Sequence, residues 1–322
     1  MESKFAVTLS NIYKTFRTSK GQVDALQGVN LEVAKGEVFG FLGPNGAGKT
    51  TALRILTTLL PFEKGEARVA GVDVKENPEE VRRRIGYVSQ RGGASRYLTG
   101  WENLVLQGRL YGMTKKDACK EAKSLVETFA LEDCIKRLVS TYSGGQQRRL
   151  DIAIGMMHQP NILFLDEPTN GLDPQNRNNL WSKILKLKED GVTIFLTSHY
   201  LDEVDALADT LAIMDHGKIV ASGSPRALKK QISGDIVTIG IHKDFHSHVI
   251  PLFEGEKTYI REITPGEQDF RLHVDKGESA LPQILRLLDQ ANIQFETIQM
   301  STPSLNDVFL KKTGRFLREE GV

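Results

Sequence analysis

The chain has 322 residues, room for one large domain and a smaller one. Its 42 basic and 41 acidic side chains leave a net charge of +1, which argues against the broad basic field of a nucleic-acid binder. Apolar residues make up 40% and charged residues 26%, as in an ordinary globular protein. No apolar run reaches the ~18 residues of a bilayer span, and the first residues lack the apolar core of a signal peptide, so a cytoplasmic location is expected. Cys119 and Cys134 make neither a disulfide framework nor a zinc set.

In chain order, residues 5–42 carry several short β-like runs separated by polar turns. The last run, Val38-Phe39-Gly40-Phe41-Leu42, is entered through Lys35-Gly36-Glu37 and has strand length. Gly43-Pro44-Asn45-Gly46-Ala47-Gly48-Lys49-Thr50 follows and fits G-x-x-x-x-G-K-[ST] without a mismatch. Its glycines let successive backbone N–H groups turn toward one anion. Lys49 is expected on the β- and γ-phosphates and Thr50 on Mg²⁺. Residues 49–60 read as a helix, with Leu53, Leu56 and Leu60 on one face. Strand, glycine loop and helix N-terminus form the context that a phosphate loop needs.

Further along, Ile85-Gly86-Tyr87-Val88-Ser89 reads as a strand leading to Gln90, a candidate Mg²⁺ or water contact. Residues 101–158 look helical, with Ala118, Ala122, Leu125, Val126 and Phe129 on one amphipathic face. Ser143 is a natural N-cap for a helix opening at Gly144-Gly145-Gln146, whose first amides are free to bind an anion. Ile162-Leu163-Phe164-Leu165 is a buried strand that delivers Asp166 and Glu167 to its carboxyl end. There Asp166 is placed to hold Mg²⁺ through water, and Glu167 to deprotonate an attacking water. Asp173-Pro174 caps a helix that Gly191 ends. The strand at 193–198 leads to His199, a candidate γ-phosphate contact or support for Glu167. Strands ending near 42, 89, 165 and 197 would bring all these loops to one sheet edge, an α/β arrangement with parallel strands.

A hairpin is expected over 212–221 and a boundary near 228–234. Beyond it the spacing predicts strands at 235–242, 257–263, 269–274 and 293–300, and helices at 279–291 and 304–313. His242, His246 and His248 lack an acid or cysteine to complete a metal set.

The phosphate loop, Gln90, Ser143-Gly144-Gly145-Gln146, residues 162–167, Gly171-Leu172-Asp173 and His199 occur in an order and spacing that resembles the nucleotide-binding subunits of ABC transporters, over about residues 5–226. The resemblance implies a P-loop NTPase of the ABC type: an α/β fold with a mixed, mainly parallel sheet, an antiparallel β subdomain and a helical subdomain at about 91–158. It implies a nucleotide-binding domain at 1–230 and a small α+β accessory domain at 231–322. Residues 43–50 and Thr51 would cradle ATP, with Phe16 or Tyr13 stacked on adenine; Phe16 aligns better. Lys49, Glu167 and His199 would be catalytic, and Thr50, Gln90 and Asp166 would serve Mg²⁺. Ser143, Gly144, Gly145 and Gln146 would close on the ATP of a second copy in a head-to-tail dimer. Tyr142 stands where the family usually has Leu.

The stretch Leu98-Thr99-Gly100-Trp101-Glu102-Asn103-Leu104 and the ending Pro303-Ser304-Leu305-Asn306-Asp307-Val308-Phe309-Leu310 look like the daunorubicin-resistance type of exporter ATPase. The implied role is an ATPase subunit on the cytoplasmic face of the membrane, working with a separate transmembrane permease. An importer ATPase and a soluble ATPase without a membrane partner are the rival readings.

Overall fold

The computed structural model describes residues 4–18, 21–232, 234–241, 246–256, 258–266 and 269–314. The chain divides into two compact units between Pro225 and Arg226.

The first unit opens with two long antiparallel strands, β1 (Phe5–Thr18) and β2 (Gly21–Ala34). Sequence reading expected several short runs here. Register shifts, such as those between Leu9 and Ile12, break the alternation along β1 without ending the strand. β3 (Val38–Leu42) then runs, fully buried, into the phosphate loop. The helix α1 (Lys49–Leu56) follows. It stops short of the expected residue 60, because Thr58 takes a left-handed backbone (φ 63°) that an α-helix cannot contain. β4 (Lys64–Val69) and β5 (Val72–Asp73) complete a four-stranded antiparallel sheet in the order β2-β1-β4-β5.

α2 (Pro78–Arg84) leads to β6 (Ile85–Val88). The expected helical stretch at 101–158 is three helices with turns between them: α3 (Gly100–Leu110), α4 (Lys115–Phe129) and α5 (Gly144–Met156). Each starts at a side-chain cap, from Thr99, Thr114 and Ser143. The buried face of α4 is the one its spacing predicts, Ala118 through Phe129.

β7 (Ile162–Asp166), α6 (Pro174–Glu189), β8 (Thr193–Ser198), α7 (Leu201–Leu207), β9 (Thr210–Asp215) and β10 (Lys218–Gly223) complete the unit. The six-stranded sheet has the order β10-β9-β3-β8-β7-β6, parallel except for the β9–β10 hairpin. Phe39 and Phe164 flank Phe195, with ring centroids 5.0 and 5.3 Å from it. Each such buried ring contributes about 1.5–3 kcal/mol of transfer free energy, which anchors the strand ends that carry the site.

α8 (Pro225–Lys229) precedes the second unit's sheet, β12-β13-β11-β14, built from β11 (Asp235–Ile241), β12 (Ile260–Pro265), β13 (Asp269–Val274) and β14 (Phe295–Ser301). α10 (Gly277–Gln290) presents Ala280, Ile284 and Leu288 to the core with Val237, Ile239 and Phe270. α11 (Leu305–Thr313) starts at a Ser304/Asp307 capping box. α9 (His246–Glu254), like α2 and α8, is absent from the sequence reading; α9 contains Pro251. The side chains of His242, His246 and His248 lie outside the described residues. Among the described residues no helix is long and apolar enough to cross a membrane.

Candidate functional site

Gly48 is the N-cap of α1 and has no side chain to cap it, so the first amides of Lys49, Thr50 and Thr51 have no intrahelical acceptor. Its φ is 109°, and a Cβ there would run into the Ala25 carbonyl; only glycine fits. Lys49 is almost fully buried. Its Nζ donates to the carbonyls of Gly43 at 2.6 Å and Pro44 at 3.1 Å. Burial pulls the ammonium below its usual pKa, opposed by the Glu167 and Asp166 charges.

At the end of β7, Asp166 Oδ1 accepts from Thr197 Oγ1 at 2.7 Å and from Thr50 Oγ1 at 3.3 Å. The next residue, Glu167, has φ 46°. Its amide donates to both the carbonyl and the hydroxyl of Thr197, each at 3.1 Å. Its carboxylate is the meeting point of the site. Oε2 accepts from Gln90 Nε2 at 3.0 Å and Asn170 Nδ2 at 3.3 Å. Oε1 lies 3.2 Å from His199 Nδ1, and 3.9 Å from Lys49 Nζ as an ion-pair contact. Burial raises the Glu167 pKa, but His199, Lys49 and Asn170 together outweigh it and hold the group below the usual carboxylate range. Glu167 is therefore ionised throughout the neutral range.

Lys49, Thr50, Gln90, Glu167 and His199 line a cleft of about 720 Å³ together with Asn45, Gly46 and Thr51. Phe16 stands at its edge, more than a third exposed, and Tyr13 does not line it. The Thr50 hydroxyl, the Asp166 carboxylate and the Gln90 side-chain carbonyl are oxygen donors of the kind a hard divalent cation takes. Asn170, Thr197, Tyr200 and His216 also meet the cleft or its carboxylates and were missed from sequence. Thr197 carried a usable signal, since it shares the strand end of His199 and faces the same edge as Asp166.

Ser143, Gly144, Gly145 and Gln146 lie outside this cleft. Ser143 Oγ accepts from the Gln146 amide at 3.3 Å, and Gln146 Oε1 accepts from the Ser143 amide at 3.0 Å. The capping box uses the serine oxygen as an acceptor and leaves its proton for a ligand.

One buried cation ties α5 to the loop that carries Asp166 and Glu167 and to the loop that carries Gln90. Arg148 donates to the carbonyls of Pro168 (2.7 Å), Ser89 (2.7 Å) and Asp166 (2.9 Å). Arg148→Met is expected to orphan these carbonyls and cost about 2–4 kcal/mol, read as a lower urea midpoint at unchanged m.

The family described as ABC transporter matches residues 26–170, and that described as ATP-binding protein DrrA1-3-like, C-terminal domain, matches residues 223–313. The chain is 41% identical to the doxorubicin resistance ATP-binding protein DrrA of Mycobacterium tuberculosis, over 96% of this chain and 93% of that one. It is 33% identical to the linearmycin resistance ATP-binding protein LnrL of Bacillus subtilis, over 96% of this chain and 98% of that one. Among solved structures, the ATP-binding cassette MJ0796, a dimer in a post-hydrolysis state with ADP and Pi, superposes with a TM-score of 0.63 at 27% identity. That match covers 68% of this chain and 98% of the cassette.

Proposed function

We propose a role from one premise: the chain belongs to the family of ABC transporter ATP-binding subunits. It is the ATP-hydrolysing subunit of an exporter, and the observation that carries the mechanism is the convergence of Lys49, Gln90 and His199 on Glu167 in one cleft, with Thr50 lining the same cleft and bonded to Asp166. Residues 1–230 form the nucleotide-binding part and 231–322 the accessory part.

ATP is held by the amides of residues 43–50 and Thr51, with its adenine on Phe16. Lys49, already fixed by two loop carbonyls, bears on the β- and γ-phosphates. Thr50, Gln90 and Asp166 would hold Mg²⁺, which would neutralise charge on the phosphate oxygens. Glu167 stays ionised and accepts the proton of the attacking water, while His199 supports the γ-phosphate and steadies the carboxylate. Ser143, Gly144, Gly145 and Gln146 complete the site of a second copy, head to tail, where their unused donors meet its γ-phosphate. The pair works on the cytoplasmic face of the membrane with a separate permease that carries a drug, antibiotic or lipid-like cargo. Nucleic acid is not a partner.

Capture of the tagged chain from detergent-solubilised membranes is expected to bring down a protein with transmembrane helices that raises ATP turnover when added back. Capture of soluble proteins alone would favour a soluble ATPase instead.

A further inference from the structure

Asp151 has no place in the phosphate site, yet it is a nearly buried carboxylate in the middle of α5. It does not cap its own helix. Its Oδ1 accepts from the backbone amides of Gly93 at 2.9 Å and Ala94 at 3.0 Å, two residues of the loop that follows Gln90. Gly92 has φ 75°, and a Cβ there would overlap the Asp151 carboxylate, so the loop lies flush against it. Asn103 of α3, also nearly buried, holds the next residue: it accepts from the Ser95 amide at 2.7 Å and donates to the Ser95 carbonyl at 3.1 Å. On the near side, the Gly92 amide donates to the Ser89 carbonyl and the Ser89 hydroxyl donates to the Gly92 carbonyl, each at 3.0 Å. Gln90 thus sits in a turn closed on itself and bolted to α5.

A buried carboxylate is costly unless paired. Here it is matched by two amides and by the neighbouring Arg148 charge. The α5 helix that begins at Ser143 therefore grips the Gln90 turn from both ends, through Arg148 at Ser89 and Asp151 at Gly93 and Ala94.

We propose that Asp151 is a positioning residue for Gln90: it makes the Gln90 turn and α5 one mechanical piece and so fixes the reach of Gln90 to Glu167. A second copy that closes on the Ser143 end of α5 then moves Gln90 with it. The proposal rests on the hydrolytic reading of Gln90 and Glu167 given above.

The test uses the full chain with Asp151→Ala and Asp151→Asn; the amide oxygen of Asn still accepts both N–H groups. In Asp151→Ala, hydrogen exchange at Gly93 and Ala94 should quicken about tenfold or more, a loss of local protection. ATP turnover should fall about tenfold with KM for ATP within about twofold, as for an outer-shell support. Asp151→Asn should keep the slow exchange and stay within about threefold of the parent in turnover. Asp151→Ser, polar but too short to reach both amides, should behave as Asp151→Ala and serves if that variant does not fold. Unchanged exchange in the short variants overturns the proposal, as does faster exchange with unchanged turnover. Equal loss in Asp151→Asn overturns it too, because charge rather than hydrogen-bond reach would then be the cause. A parent chain that hydrolyses no ATP with its membrane partner present sinks the hydrolytic reading instead, and leaves the exchange result standing.

Discussion

Glu167→Gln is expected to bind ATP and pair in solution while turning it over about 10²–10⁴ times more slowly than the parent. The amide keeps the size of the carboxylate and can still meet Gln90 and Asn170, so the cleft keeps its shape. What it loses is the ability to take a proton. The carboxylate is in the form that can accept a proton, because His199, Lys49 and Asn170 keep it ionised despite burial. The two copies, once closed over ATP, then have no means of reopening by hydrolysis. Light scattering with ATP and Mg²⁺ should show a lasting dimer for the variant and a transient one for the parent. Single-turnover rates within a few-fold of the parent would remove Glu167 from the role of base.

The second large effect is Ser143→Arg. The substitution removes an N-cap worth about 1 kcal/mol and puts a long side chain where the first amides of α5 should meet a phosphate. ATP affinity at the chain's own phosphate loop should stay within about twofold, since Ser143 lies outside that cleft. Turnover should fall by about 10² or more, the scale of a lost oxyanion donor. A mixture of Ser143→Arg and Glu167→Gln chains is the sharper measurement. In a head-to-tail pair, one composite site of the mixed dimer carries both changes and the other carries neither. The mixture should hydrolyse ATP although each variant alone does not. If Ser143 served its own copy's ATP, every site would carry one lesion and mixing would restore nothing.

Much of this site could be read from sequence because its chemistry is local. The phosphate loop needs its glycines and lysine in consecutive positions, and Asp166-Glu167 closes an apolar run that has no other use for two acids. The supports were illegible for the opposite reason. Thr197, Arg148 and Asp151 act on backbone groups distant in sequence, and a side chain that meets a main-chain N–H or carbonyl leaves no partner side chain to find. In the fold, long strands with bulges read as several short ones, as in β1, and short helices such as α2 and α8 leave too few turns for a periodic pattern. Where burial alone dictated the pattern, as on the inner face of α4 or through β7, pattern and structure agree.

The left-handed backbone of Glu167 carries one last implication. An L-residue other than Asn or Asp held at such a φ gives up about 1 kcal/mol or more relative to glycine, and here Thr197 holds it there with two hydrogen bonds. The carboxylate that faces Gln90, Asn170 and His199 thus stands on a backbone that glycine would hold at lower energy. A glycine at this position would relieve the backbone and remove the carboxylate in one step, so easier folding there comes only with the loss of that side chain.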